Sequence, residues 1–197
     1  MRFLHSMPWG VVLVMTLASA AYATNDDRNA AAWSALAQGG HVIVMRHSLD
    51  EPGTGDPPGY RFGDCATQRQ LIPEGRAKAE RIAEEFRRRD IRIGDVLSSE
   101  WCRVRDTARI VFGRHETWVS LNVQNPQTNP YMNGERQNAD VAALIRAHNG
   151  ADNLVLVTHW LNIVPLLGQG PDKGDALVVK WDVDERRLRI VAGLRFD

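Results

Sequence analysis

The chain has 197 residues, with 24 basic and 24 acidic side chains, no formal net charge at pH 7, and two cysteines. That length suits one domain with a full hydrophobic core. The balanced charge excludes the basic footprint of a nucleic-acid-binding domain and a polybasic membrane patch.

The first residues bear on location. "MRFLHSMPWGVVLVMTLASAAYAT" carries one cation, Arg2, then an apolar run through Val11 and Leu17, then Ala21-Tyr22-Ala23, a small-x-small cleavage pattern. Residues 1–23 read as a secretory signal peptide and 24–197 as the mature domain, periplasmic or secreted; an uncleaved N-terminal anchor is the alternative. The apolar run is too short to span a bilayer comfortably, and no second one follows, so no stable membrane association is expected.

Beyond it, apolar strands alternate with helical patterns. Val42 to Met45, bounded by Gly39-Gly40 and Pro52-Gly53, reads as a strand buried on both faces. "PEGRAKAERIAEEFRRR" predicts a helix with Pro73 in its first turn and Ala79, Ile82, Ala83 and Phe86 on one face. "DVLSS" predicts a second strand. "WCRVRDTARIVF" predicts a second helix on the stripe Val104, Ala108, Val111 and Phe112. A third strand is expected over "ETWVSL", a long loop from Asn122 to Asn133, and a helix over Gly134 to Asn149. "NLVLVTH" predicts a fourth strand, "WLNIVPLLG" a short helix, and "ALVVKWD" with "LRIVAGL" a terminal hairpin. The alternation argues an α/β fold, a three-layer α/β/α sandwich with a mostly parallel central sheet.

Three strands share a habit. The first ends in Arg46-His47, the second in Ser98-Ser99 shortly before Arg103, and the fourth in Thr158-His159. In a parallel sheet such ends lie on one edge, where open α/β sheets keep their ligand sites. Two histidines and two arginines there suit phosphoryl transfer, in which fixed guanidinium and imidazole donors stabilise charge on the equatorial oxygens. Arg binds two oxygens at once through its planar fork. One histidine can attack phosphorus if its reactive nitrogen is unprotonated, and flanking Arg charges favour that state.

With these residues in order, the sequence resembles the histidine phosphatase superfamily, phosphoglycerate mutase-like, and its small phosphatase branch in particular. The resemblance runs from "VIVMRHS" through "QRQLIPEGRAKAERIAEEFR" and "VLSSEWCRVRDTARIVFG" to "LVLVTHW". It implies a phosphoric monoester hydrolase of the histidine acid phosphatase type, with His47 as nucleophile and Arg46, Arg103 and His159 holding the phosphoryl group. The implied substrate is a small-molecule or peptide phosphomonoester. A phosphoryl-binding sensor that does not turn over is the alternative.

Several positions depart from the family pattern. Ser48 stands where Gly or Ala is usual and puts a hydroxyl at the pocket rim. Ile72 replaces a helix-capping Ser or Thr. "VSLNVQNPQ" carries no carboxylate where mutase-like members have a Glu, which leaves Asp50, Glu51 and Asp56 as candidates for the proton donor. Gln68 and Arg69 are candidate substrate contacts in a segment placed to fold over the pocket, with a solvated loop as the alternative. No cofactor or metal is expected, because Arg46 would repel a cation beside His47 and no third ligand lies at a short helical spacing. Arg105, Asp106 and Arg109 read as helix-surface pairing, and His41, His115 and His148 as surface or packing residues.

Cys65 and Cys102 are the only cysteines of the chain. A signal sequence would send them to an oxidising compartment, so a disulfide is predicted, tying the loop after the nucleophile to the start of the second helix. Two separate buried thiols are the alternative.

Overall fold

The computed structural model of the protein describes residues 25–53, 55–123 and 134–197. The first strand, β1 (Val42–Arg46), has every apolar residue buried. Its alternating side chains serve two cores: Ile43 and Met45 point into one, Val42 and Val44 into the other. β4 (Asn153–Thr158) lies parallel to β1 with Arg46 opposite Thr158, and β2 (Ile93–Ser98) lies parallel to β4 with Ser98 opposite Val157. β5 (Ala176–Asp182) and β6 (Arg187–Leu194) complete the sheet as an antiparallel hairpin beside β1. With β3 (Glu116–Thr117) parallel to β2 at the far edge, the strand order is β3-β2-β4-β1-β5-β6, a mixed sheet with parallel pairing in the half that holds the Arg46-His47 and Thr158-His159 ends.

Helices cover both faces. α2 (Pro73–Arg88) and α3 (Cys102–Phe112) bury their predicted apolar stripes in one core with Ile43, Met45, Val155 and Val157. α4 (Gly134–Ala147) and α5 (Trp160–Leu167) close the other over Val44 and Leu156 through Val141, Ile145 and Ile163. Full burial of such side chains contributes about 1.5–3 kcal/mol each.

The sequence reading places no element between the signal and β1, and the structure adds α1 (Asn25–Gln38). Its buried residues Asn29, Ala32, Trp33, Ala35 and Leu36 follow helical spacing, but alanines stand on the exposed side as well, at Ala30 and Ala31, so the two faces contrast weakly. Trp33 holds the helix against the core, with its ring centroid 5.2 Å from that of Phe86 and 6.0 Å from that of Phe196.

The strand expected over "ETWVSL" is a correction. β3 spans only Glu116–Thr117, and the chain then turns through a 3₁₀ segment, Val119–Leu121. Side chains take the carbonyls that a strand neighbour would have used: Gln137 Nε2 donates to Val119 O at 3.2 Å, and Thr158 Oγ1 to Leu121 O at 2.7 Å. The expected signal peptide and residues 124–133 of the expected loop lie outside the described residues. Among the described residues no helix is long and apolar enough to cross a membrane.

Candidate active site

Because β1 and β4 run side by side, His47 and His159 leave the sheet together. Their ring centroids are 5.4 Å apart, and both side chains are buried. His47 N donates to Thr158 O at 3.0 Å, locking the two strand ends in register. The His47 ring is oriented by its neighbour: Nδ1 lies 2.8 Å from Ser48 O, and a carbonyl only accepts, so Nδ1 carries the proton. Nε2 is then the nitrogen with the lone pair. Burial lowers the His47 pKa to about 3, helped by the nearby Arg103 and Arg46 charges and opposed by Asp50.

A second network fixes His159. Its Nε2 lies 3.0 Å from Ser99 Oγ, and that hydroxyl donates to Asn122 Oδ1 at 3.0 Å. The Asn122 amide cannot be reversed, since Oδ1 also accepts from Glu100 N at 2.8 Å and Nδ2 donates to Glu100 Oε2 at 2.7 Å. With the hydroxyl proton committed to Asn122, His159 Nε2 must be the donor to Ser99. Burial drives the His159 pKa well below its ordinary value, and the Arg103 charge adds to the effect.

Three guanidinium groups join the histidines around a cavity of about 380 Å³: Arg46, Arg69 and Arg103. Beneath it sits Asp50, its side chain inaccessible to solvent. Asp50 Oδ2 lies 2.9 Å from Arg69 Nη2 and 3.5 Å from Arg103 Nε, and Oδ1 pairs with Lys173. Burial pushes the Asp50 carboxyl up, but the His47, Lys173 and Arg69 interactions outweigh it and hold the group below the usual carboxylate range. Asp56 enters from the cavity side. Both its oxygens lie 2.9 Å from Arg103 Nη1, and Oδ1 also accepts from Arg69 N at 2.9 Å. Among the described residues no group of three or more His, Cys, Asp or Glu could hold a metal ion.

Solved structures share this arrangement of strands and helices. One is SixA of Agrobacterium tumefaciens, assigned as a phosphohistidine phosphatase, with 23% identity and a TM-score of 0.52 over 79% of this chain and 97% of that one. Another is a phosphoserine phosphatase mutant of Entamoeba histolytica in complex with phosphoserine, with 13% identity and a TM-score of 0.57 over 78% and 96%. A mycobacterial glucosyl-3-phosphoglycerate phosphatase in complex with inorganic phosphate gives 17% identity and 0.54 over 76% and 94%. The chain has the histidine phosphatase fold. No family model and no curated protein sequence matches it.

On this histidine phosphatase fold, Arg46, His47, Arg69, Arg103 and His159 all line one cavity, as the sequence reading expects. Two candidate substrate contacts do not. Ser48 is fully buried, its Oγ donating 2.7 Å to Gly75 O and its N 3.0 Å to Thr107 Oγ1, so its hydroxyl is spent on α2 rather than on the rim. Gln68 is buried with both ends used: Nε2 donates to Arg61 O at 2.7 Å, and Oε1 accepts from Cys102 N at 2.9 Å. That bond serves an orphan donor in the first turn of α3, whose N-cap Trp101 has no side chain to do it.

The histidine phosphatase fold is further tied together here by the predicted disulfide, Cys65–Cys102, with a Cα–Cα distance of 5.6 Å. It sits one residue before Arg103 and three before Gln68. Asp106 pairs with Arg109 and with Arg76 of α2, the surface pairing expected of it. Sequence reasoning missed Lys173, Ser99's role and Asn122. Ser99 at a strand end was a visible signal, whereas Lys173 and Asn122 reach the site from loops without any motif.

Proposed function

We propose that this protein hydrolyses phosphomonoesters through a phosphohistidine on His47. The observation that carries the reading is the Nδ1–H bond to Ser48 O, which leaves Nε2 as a neutral nucleophile in a cavity lined by three guanidinium groups. Nε2 attacks phosphorus as the ester P–O bond breaks, while Arg46 and Arg103 take the charge on the equatorial oxygens; His159, whose Nε2–H is held by Ser99, joins them only on taking a proton at Nδ1, which the arriving dianion favours. Water then attacks the phosphohistidine, the N–P bond breaks, and inorganic phosphate leaves.

The departing alkoxide needs a proton, and geometry separates the three candidates. Asp50 is sealed behind the arginines. Glu51 faces outward, its Oε2 accepting from Gln70 N at 3.0 Å. Asp56 alone among them lines the cavity, so it is assigned as the acid. An arriving phosphoryl dianion competes with its carboxylate for Arg103. Displaced, the carboxyl is free to carry a proton to the leaving oxygen. It gives that proton to the alcohol and takes one from the water in the second step, so the protons balance. The secretory pattern at the N-terminus and the disulfide support a site of action in the periplasm or outside the cell.

Quenching the protein during turnover of a radiolabelled phosphomonoester should trap label on His47 that is labile in acid and durable in base, and His47→Ala should trap none. Label on a Ser, Asp or Cys would overturn the mechanism. Phosphate binding without turnover or trapped label would overturn it in favour of a sensor.

A further inference from the structure

The cavity has two unlike halves. Among the described residues every ionisable group that lines it, Arg46, His47, Asp56, Arg69, Arg103 and His159, belongs to the phosphoryl end already described. The remaining wall is Trp101, Val123, Trp160 and Leu161, with the backbone of Gly53 and Gly55. Among the described residues no side chain of that wall carries a charge, a carboxamide or a hydroxyl.

Neither indole is free to turn away. Trp101 is almost fully buried, with its ring centroid 4.4 Å from that of Tyr60 and 5.1 Å from that of Phe62, and the Arg103 guanidinium lies 5.2 Å over it. Trp160 is 44% exposed, yet its ring is pressed to the chain at Gly170, where a Cβ would come within 2.6 Å of its Cδ1. Five large apolar side chains are exposed among the described residues, and three of them, Phe62, Trp160 and Leu161, belong to this rim or pack on it. Apolar surface gathered at the mouth of an ion-lined pocket marks a binding surface rather than scattered exposure.

We infer that the alcohol half of the substrate is apolar and uncharged, an alkyl or aryl group seated between Trp101 and the Trp160–Leu161 rim. The inference rests on the phosphatase reading and names the substrate class for the same site. A sugar, polyol or amino acid would be stripped of water against this wall and find few partners for its hydroxyls or charges, which selects against it. The wall's one buried polar atom is Trp101 Nε1, which has no hydrogen-bond partner among the described residues. Because that atom is closed off from solvent, it offers a substrate hydroxyl no partner either.

Alkylphosphonic acids test this without turnover, because their C–P bond is not cleaved. Calorimetric titration of the full-length protein with the methyl to octyl series should show affinity rising by about twofold to fourfold per methylene, as burial of each CH₂ requires. Phenylphosphonic acid in the same titration separates aryl from alkyl preference. Trp160→Ala and Leu161→Ser should each lower the slope with chain length. A flat series, no binding by any member, or tighter binding of glycerol or glucose phosphates than of butylphosphonic acid would overturn the inference. A steep series without phosphohistidine would instead sink the catalytic reading alone, and phosphohistidine with a flat series would sink only this one.

Discussion

Neutralising Asp50 should destabilise the fold far more than an isosteric change suggests. Asp50→Asn keeps the shape but removes the charge shared by Arg69, Arg103 and Lys173 at their meeting point, leaving Asp56 to balance Arg103 alone. The side chains of Arg69 and Arg103 are 14% and 3% exposed, so water screens little of their repulsion. Removing one member of a buried ion pair costs about 3–5 kcal/mol, because it strands the partner's charge. For a domain of this size that converts to a Tm lower by roughly 6–20 °C. Inorganic phosphate should rescue the variant more than the wild type, since a bound dianion restores the missing charge, and saturation at a hundred times Kd adds about 2.7 kcal/mol. The pH dependence has a definite sign. A carboxyl held below its unfolded value of about 4 gives stability that is present above that pH and lost as pH falls through the lowered folded value. Wild-type protein should therefore lose stability in acid along a limb that the variant lacks. Differential scanning calorimetry from pH 3 to 7, with and without phosphate, measures all three effects. A variant that melts within about 2 °C of the wild type in phosphate-free buffer would refute the idea that this carboxylate holds the site together.

The His47 pKa of about 3 keeps its ring neutral throughout the physiological range, so its nitrogen resonances should not titrate between pH 5 and 8 in the substrate-free protein; a midpoint near 6.5 contradicts the buried site. Since its folded value is depressed, this group also removes stability as pH falls from about 6.5 toward 3. Asp56→Asn should slow alkyl phosphates by about a hundredfold or more and p-nitrophenyl phosphate far less, while inorganic phosphate inhibits more tightly because Arg103 is unoccupied. Equal slowing of both ester classes would deny Asp56 the role of acid. Reducing Cys65–Cys102, which closes 37 residues of chain, should lower stability by about 4 kcal/mol in the chain-entropy model; an unchanged denaturation midpoint in reductant counts against it.

The parts of the site written into continuous strands were legible in the sequence. Arg46-His47 and Thr158-His159 announce themselves because an apolar run ends abruptly on a costly side chain, and parallel pairing brings such ends together. Arg103 was legible for a related reason, lying in the first turn of a helix that starts just past a third strand end. What was not legible depends on side-chain direction. Ser48 follows the nucleophile and looks like a rim residue, yet the turn of the loop aims its hydroxyl at Gly75 O. Gln68 and Arg69 are adjacent and polar, and only Arg69 faces the cavity. Asp50 and Asp56 are chemically identical in sequence, separated in role by which side of the arginines each approaches.

Gly75, the third residue of α2, has no side chain, and that bareness governs the alignment of an atom it never touches. A Cβ at this position would lie 1.9 Å from Leu49 O, two residues beyond His47. Alanine would improve the helix by about 1 kcal/mol on propensity alone. It would also force the Leu49 carbonyl back by more than an ångström, and a misplacement of that size at an in-line displacement can cost a hundredfold in rate. Helix propensity and main-chain clearance thus pull in opposite directions at a single α-carbon, and clearance decides because the atom in the way is backbone. A screen for folded, soluble protein would therefore discard here the same substitutions that a screen for turnover discards.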